Sequence, residues 1–217
     1  MSSANHLSLV AVEGPIGVGK SSLAKRLAET FGGELLLEGA EENPFLERFY
    51  RDDKSAALQT QLFFLFQRAR QMQALRQGDM FKPMRSADFI MEKDRLFAQL
   101  TLDEDELDLY DQVYNSLTLD VPTPDLVIYL QAPIEVLHAR IKKRGIMSER
   151  YIKTGYLQRI VDAYAKFFYN YDAAPLLIIN ASEIDLVNNE QDYNELLKQI
   201  RSIRSGRHYF NPLPIAL

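Results

Sequence analysis

Short, unbroken apolar runs recur along the chain and alternate with longer segments whose apolar positions repeat every three to four residues. Leu7 to Val12, Glu34 to Leu37, Ser86 to Met91, Leu126 to Leu130 and Leu176 to Ile179 read as buried strands. Ser21 to Phe31, Ala56 to Gln77, Lys93 to Tyr114, Ile134 to Lys143 and Thr154 to Tyr171 read as helices. Strands alternating with helices predict a three-layer α/β/α fold, a central parallel sheet of about five strands wrapped on both faces. The segment Ala56 to Gln77 carries Leu58, Leu62, Phe63, Leu65, Phe66 and Ala69, a broad apolar face. The acidic run Asp103-Glu104-Asp105-Glu106 reads as a solvated helix start or turn. With no internal repeat or low-complexity linker, residues 1–217 are expected to form one domain.

Composition narrows the partners. The chain has 217 residues, 47% of them hydrophobic and 25% charged, values ordinary for a soluble globular protein. A formal net charge of −5 argues against nucleic acid as a partner. No run approaches the length of a transmembrane helix, and Met1 to His6 lacks a basic region leading into an apolar one, so neither a membrane nor secretion is expected. The absence of cysteine removes disulfides and thiolate metal sites and fits a cytoplasmic location.

One motif brings chemistry. Gly14-Pro15-Ile16-Gly17-Val18-Gly19-Lys20-Ser21 has the pattern G-x-x-x-x-G-K-[ST], directly after the first predicted strand and opening the first predicted helix. The glycines let consecutive amides turn inward around a phosphate, Lys20 supplies a point charge, and the Ser21 hydroxyl can ligate Mg²⁺. A strand, this loop and a helix N-terminus aimed at an anion predict a nucleoside triphosphate site. The guanine-reading N-K-x-D of GTPases is missing, and the chain is short for a motor or transport ATPase. A second feature, Arg140-Ile141-Lys142-Lys143-Arg144-Gly145 followed by Glu149, crowds four cations into five positions at a predicted helix end. Mutual repulsion there calls for an anionic partner, and a movable basic lid over about 140–153 would stabilise charge on a transferring phosphoryl group.

These stretches together resemble the deoxynucleoside kinase family, in its bacterial deoxyadenosine/deoxyguanosine kinase branch. The likeness runs through Val12 to Ser21, Glu38, Glu42-Asn43-Pro44-Phe45-Leu46-Glu47-Arg48-Phe49-Tyr50, Thr60-Gln61-Leu62-Phe63-Phe64-Leu65, Asp94-Arg95-Leu96-Phe97-Ala98, the lid, and Tyr156 to Phe168. It implies a P-loop kinase that moves the γ-phosphoryl group of ATP, bound with Mg²⁺, to the 5′-hydroxyl of a deoxynucleoside, with a purine base favoured. Glu38 resembles the general base and Gln61 the amide that pairs with the base edge. Tyr50 and Glu149 resemble the groups at the sugar 3′-hydroxyl, Arg68 is a candidate cation of the base site, and Phe64 a wall of the same pocket. Lys20, Arg140 and Arg144 resemble the phosphate clamps, with the loop from Gly14 to Ser21 and Ser22 holding the triphosphate. Glu183 to Asp185 matches the loop that holds adenine through its backbone. Family members are commonly homodimers, and the helix from Ala56 to Gln77 could serve there.

The chain departs from the family pattern at one corner. An ungapped match places Ala87 and Asp88 where an acidic residue and an arginine are usual after the third strand. It also places Lys93 where the base-reading carboxylate would stand. Asp88 remains well placed to join Ser21 at Mg²⁺, and Arg85 or Arg95 could supply the missing cation. Ile146 stands at a usual lid arginine. Two other readings stay open: a nucleoside monophosphate kinase of the thymidylate type, and a nucleotide-binding relative without catalysis. The tail over 205–217 is expected to pack as a terminal strap.

Overall fold

All five residues of β1 (Leu9–Glu13) are buried, as the centre of a parallel sheet requires, because helices cover both of its faces. The computed structural model describes residues 7–52, 55–76, 84–117, 121–182 and 184–211. Around β1 lie β2 (Glu34–Leu36), β3 (Arg85–Ala87), β4 (Leu126–Gln131), β5 (Leu176–Asn180) and β6 (Arg207–Phe210), in the order β2-β3-β1-β4-β5-β6. Every pairing is parallel; Ala11, for example, sits between Ala87 and Val127. β1, β4 and β5 are mainly apolar runs, whereas β3 is the short Arg85-Ser86-Ala87 and the edges carry Glu34 on β2 and Arg207 on β6. Six strands rather than about five form because the tail does more than strap the surface. Residues 207–210 pair with 176–179 of β5, and residues 212–217 lie outside the described part.

The helices are α1 (Lys20–Phe31), α2 (Leu46–Arg51), α3 (Ala57–Arg76), α4 (Glu92–Thr101), α5 (Glu104–Leu117), α6 (Ile134–Arg144), α7 (Thr154–Tyr169) and α8 (Glu190–Ser202). The expected single helix from Lys93 to Tyr114 is two. The Thr101 hydroxyl back-bonds to the Phe97 carbonyl, Leu102 turns extended, and a reciprocal cap starts α5. In that cap Glu106 N–H donates to the Asp103 carboxylate at 3.0 Å and Asp103 N–H to Glu106 at 3.5 Å, so the acidic run is a helix start. β3 is also shorter than the apolar run suggested: it ends at Ala87, the Asp88 amide makes a last bond to the Leu36 carbonyl (3.1 Å), and the Ile90 amide turns to the Glu13 carboxylate.

The strand order reverses at β1: β3 and β2 lie on one side of it, β4 to β6 on the other. Parallel sheets bind ligands at such a switch point, beyond the carboxyl ends of the strands. Glu13, Glu38 and Asp88 all stand there, at or just after the ends of β1, β2 and β3.

Candidate active site

The phosphate loop joins β1 to α1. Gly14, Gly17 and Gly19 take φ of +146°, +85° and +108°, values that side chains avoid. At Gly14 the reason is also spatial, since a Cβ would come within 2.4 Å of the Leu130 carbonyl oxygen. Gly19 precedes α1 without a side-chain cap, leaving the first helical amides to an anion. Lys20 curls back so that its ammonium donates to the carbonyls of Gly14 (2.8 Å) and Pro15 (3.2 Å). Burial, reinforced by the nearby Lys93 ammonium, lowers its pKa to about 8.

Two cavities flank the loop. One, of about 540 Å³, lies between Gly17, Val18 and Gly19 on one side and Arg140, Ala181 and Asp185 on the other. Arg140, from α6, donates to the carbonyls of Val18 (3.0 Å) and Ala181 (2.7 Å), tying the phosphate loop to the loop after β5. Asp185 shapes that second loop, accepting from the amides of Val187 and Asn188 and from the Asn188 side chain, whose hydrogen bond is the main cause of its lowered pKa. Glu183 lies outside the described residues.

The second cavity, of about 510 Å³, opens beyond Lys20 and Ser21 and brings together most of the predicted substrate residues. Glu38, Tyr50, Gln61, Phe64, Arg68, Asp88, Lys93 and Glu149 all line it, as does Ile16 from the phosphate loop. Gly17, Ser22 and Arg144 line both cavities, while Gly14 and Pro15 line neither. On α3 the buried polar residues Thr60, Gln61 and Arg68 share a stripe with Phe64 and Leu65, so the helix turns a partly polar face to the site. Gln61 donates its amide to the Thr101 hydroxyl (3.2 Å), and the Phe64 ring lies 5.2 Å from the Arg68 guanidinium carbon.

Charge is organised around Glu38. Its carboxylate is paired by Arg68 and by the Lys93 ammonium, the latter at 2.5 Å. Burial alone would raise its pKa; Lys93, Arg68 and Lys20 outweigh this and lower it to about 2. Arg68 also pairs with Asp94, and Arg68, Asp94 and Lys93 are 2%, 1% and 4% exposed. Besides Glu38, the carboxylate that meets Arg68 is Asp94, buried behind the cavity wall and one residue after the position given by the ungapped match, and Lys93 turns instead to Glu38. Neither arginine considered for the missing cation reaches the cavity. Arg85 pairs with Glu34 at the opening of the strands, and Arg95 pairs with Asp111 on α5.

Asp88 links the two strand ends. One carboxylate oxygen accepts from the Ser21 hydroxyl (2.5 Å) and the other from the Glu38 amide (2.7 Å). The lid closes the far wall: after Gly145 in the left-handed region, Arg144 makes a two-bond ion pair with Glu149, and the turn at Ser148–Tyr151 packs on α2. This brings Glu149 toward Tyr50, whose pKa burial raises far above the ordinary tyrosine value, so its phenol is a hydrogen-bond donor.

Sequence reasoning assigned no role to Glu13 or Asp94. Glu13 is fully buried and accepts from the amides of Gly14 (3.0 Å) and Ile90 (2.9 Å) and from the Tyr164 hydroxyl (2.8 Å). A carboxylate ending an otherwise apolar strand was the available signal, because burial of a charge demands such partners.

Residues 10–204 match the sequence profile of the deoxynucleoside kinases. The chain belongs to the deoxynucleoside kinase family. As a member it phosphorylates a deoxynucleoside to the monophosphate at the expense of ATP. It is 32% identical over 208 residues to the deoxyguanosine kinase of Bacillus subtilis strain 168, covering 92% of this chain and 99% of that protein. It is 31% identical over 204 residues to the deoxyadenosine/deoxycytidine kinase of the same strain, covering 90% and 93%. Among solved structures, deoxyadenosine kinase from M. mycoides with bound dATP superposes with a TM-score of 0.76 at 25% identity, covering 90% of this chain and all of the other. No helix among the described residues is long and apolar enough to cross a membrane.

Proposed function

We propose that this deoxynucleoside kinase acts on purine deoxynucleosides, deoxyadenosine or deoxyguanosine, in cytoplasmic nucleotide salvage, with ATP in the cavity beside Arg140 and the nucleoside in the cavity of Glu38. The observation that carries this reading is the Glu38 carboxylate, held ionised in the cavity that Lys20 and Ser21 of the phosphate loop also line. An ionised carboxylate there can accept the 5′-hydroxyl proton as the oxygen attacks the γ-phosphorus, and the bond to the ADP oxygen breaks with its electron pair. Ser21, Lys20 and the loop amides hold the triphosphate. Arg144, which lines both cavities, spans donor and acceptor, and Arg140 keeps the adenine loop against the phosphate loop. The Ser21 hydroxyl and Asp88 carboxylate are hard oxygen donors 2.5 Å apart, a set that suits Mg²⁺ keeping phosphate oxygens and water as its other ligands. When bound, the ion offsets charge on the β- and γ-phosphates.

Gln61 and the Arg68–Asp94 pair stand where the base would lie, and Tyr50 with Glu149 where the sugar would. The purine preference is supported by the names of the relatives. A homodimer, with the helix α3 as a candidate contact, belongs to the same reading. The test is a deoxynucleoside panel with ATP, wild type beside Glu38→Gln. Deoxyadenosine or deoxyguanosine is expected to be turned over fastest, and Glu38→Gln to lower kcat about 10²- to 10⁴-fold. No product from any nucleoside, an unimpaired Glu38→Gln, or dAMP or dTMP as the better acceptor overturns the reading.

A further inference from the structure

Among the described residues four cations line the nucleoside cavity, and their partners differ. Arg68 is committed to two carboxylates, Glu38 and Asp94, and is buried at the pocket's base. Arg144 is held by Glu149 at the rim. Lys20 belongs to the phosphate loop, with its ammonium on the loop's own carbonyls. Lys93 shares Glu38 with Arg68, but among the described residues that carboxylate, the one the proposed reaction neutralises, is its single ion-pair partner, whereas Arg68 keeps Asp94. It stands at the start of α4, and its ammonium lies 5.5 Å from the Phe97 ring centre, where little water weakens its field.

We propose that Lys93 is a catalytic cation of the phosphoryl transfer, balanced by Glu38 before reaction and released onto the transferring group as Glu38 takes the 5′-hydroxyl proton. The inference rests on the function proposed above. Its physical content is differential. In the ground state the Lys93 charge is spent on the Glu38 carboxylate. As the proton moves to Glu38 that carboxylate becomes neutral, the nucleoside oxygen carries the displaced charge toward phosphorus, and the ammonium faces new negative charge in the same cavity. An interaction that strengthens only along the reaction coordinate raises kcat and leaves substrate affinity almost unchanged. The placement agrees. Lys93, Lys20, Ser21, Glu38 and Asp88 border one cavity. Two ammonium groups kept this close by the fold suit a visitor of several negative charges.

The test uses the full chain with ATP and whichever deoxynucleoside the wild type phosphorylates best. Lys93→Met is expected to lower kcat about 10²- to 10³-fold, with the nucleoside KM and the dissociation constant for ATP changed by less than about threefold. Lys93→Arg, which restores a fixed cation, is expected to recover at least about tenfold of that loss. Lys93→Gln keeps a hydrogen-bond donor for Glu38 without charge and serves if the methionine variant does not fold; its kcat is expected to fall as far. A neutral variant that folds and keeps kcat within about threefold of wild type overturns the inference, as does a loss confined to KM. In a Glu38→Gln background, Lys93→Met is expected to cost at least about a further tenfold, and no further loss would reduce Lys93 to a positioning residue and overturn its catalytic role. A wild type that phosphorylates no deoxynucleoside instead sinks the underlying function, and the two failures are thereby distinct.

Discussion

At the end of β1 the phosphate loop is made of consecutive residues, whereas the Glu38 corner is gathered from four separate segments. Gly14 to Ser21 needs only its own backbone turns and one side chain that folds back on them. Glu38 comes from the end of β2, Arg68 from α3, Asp88 from the bend after β3, and Lys93 with Asp94 from α4. The first kind of site tolerates little change, because a glycine at φ +146° against a carbonyl has no substitute. The second kind tolerates rewiring, since a charge lost from one element can be delivered from another that faces the same cavity. The departures from the family pattern fall where the site is assembled from several elements, and the loop is intact.

The largest effect expected from a single substitution outside that corner is at Lys20. Lys20→Met should lower kcat/KM for ATP about 10²- to 10³-fold, while nucleoside binding, measured by calorimetry, stays near wild type. Its titration sharpens the contrast. Burial and Lys93 bring the Lys20 pKa to about 8, and the protonated form is the one that holds phosphate. kcat/KM for ATP should then be level below pH 8 and fall as pH rises through that value, with no matching acid limb near pH 4 because Glu38 titrates at about 2. In Lys20→Arg the guanidinium keeps its proton and the limb near pH 8 should vanish.

The same contrast explains what the sequence made legible. Five strands and the helices α1 and α3 to α7 follow from local periodicity, whereas α8 was not among the segments read, and the loop follows from a motif whose chemistry is local. β6 escaped because Arg207-His208-Tyr209-Phe210 is a half-exposed edge with only Phe210 buried, and such a segment shows no apolar run. α2 escaped for its length of six residues, too short for a period to show. The break between α4 and α5 depended on a threonine back-bond and a reciprocal cap. At the site, the eight candidate substrate residues line one cavity, whereas Gly14 and Pro15 of the loop line neither. Counting along α4 could not reveal which of Lys93 and Asp94 faces Arg68, because adjacent helical residues point about 100° apart and tertiary packing chooses between them.

The Arg68–Asp94 pair tests whether the assembled corner is held by its charges. Both groups are buried, and removing one strands the other in a low dielectric. Arg68→Met should therefore cost about 3–5 kcal/mol, read in a thermal melt as a fall of roughly 10 °C for a chain of this size. The double variant Arg68→Met with Asp94→Leu should be more stable than Arg68→Met alone, because the orphaned carboxylate is gone. A double variant less stable than Arg68→Met would mean that the pair contributes through shape rather than charge.

The smallest effect carries a sharp discrimination. Arg85 and Arg95 are the arginines nearest in sequence to the altered corner, and a reading from sequence alone would turn to them first for the missing positive charge. The fold turns both away: Arg85 to Glu34 at the other end of the sheet, Arg95 to Asp111 on α5, where it is half exposed. Pairs of this kind, with at least one partner well solvated, contribute about 0–1 kcal/mol. Arg85→Ala and Arg95→Ala should each leave kcat within about twofold of wild type and shift the melt by no more than a few degrees. A tenfold loss of kcat in either variant, with the melt unmoved, would return the cation to an arginine and remove the reason for Lys93 to be in the site at all.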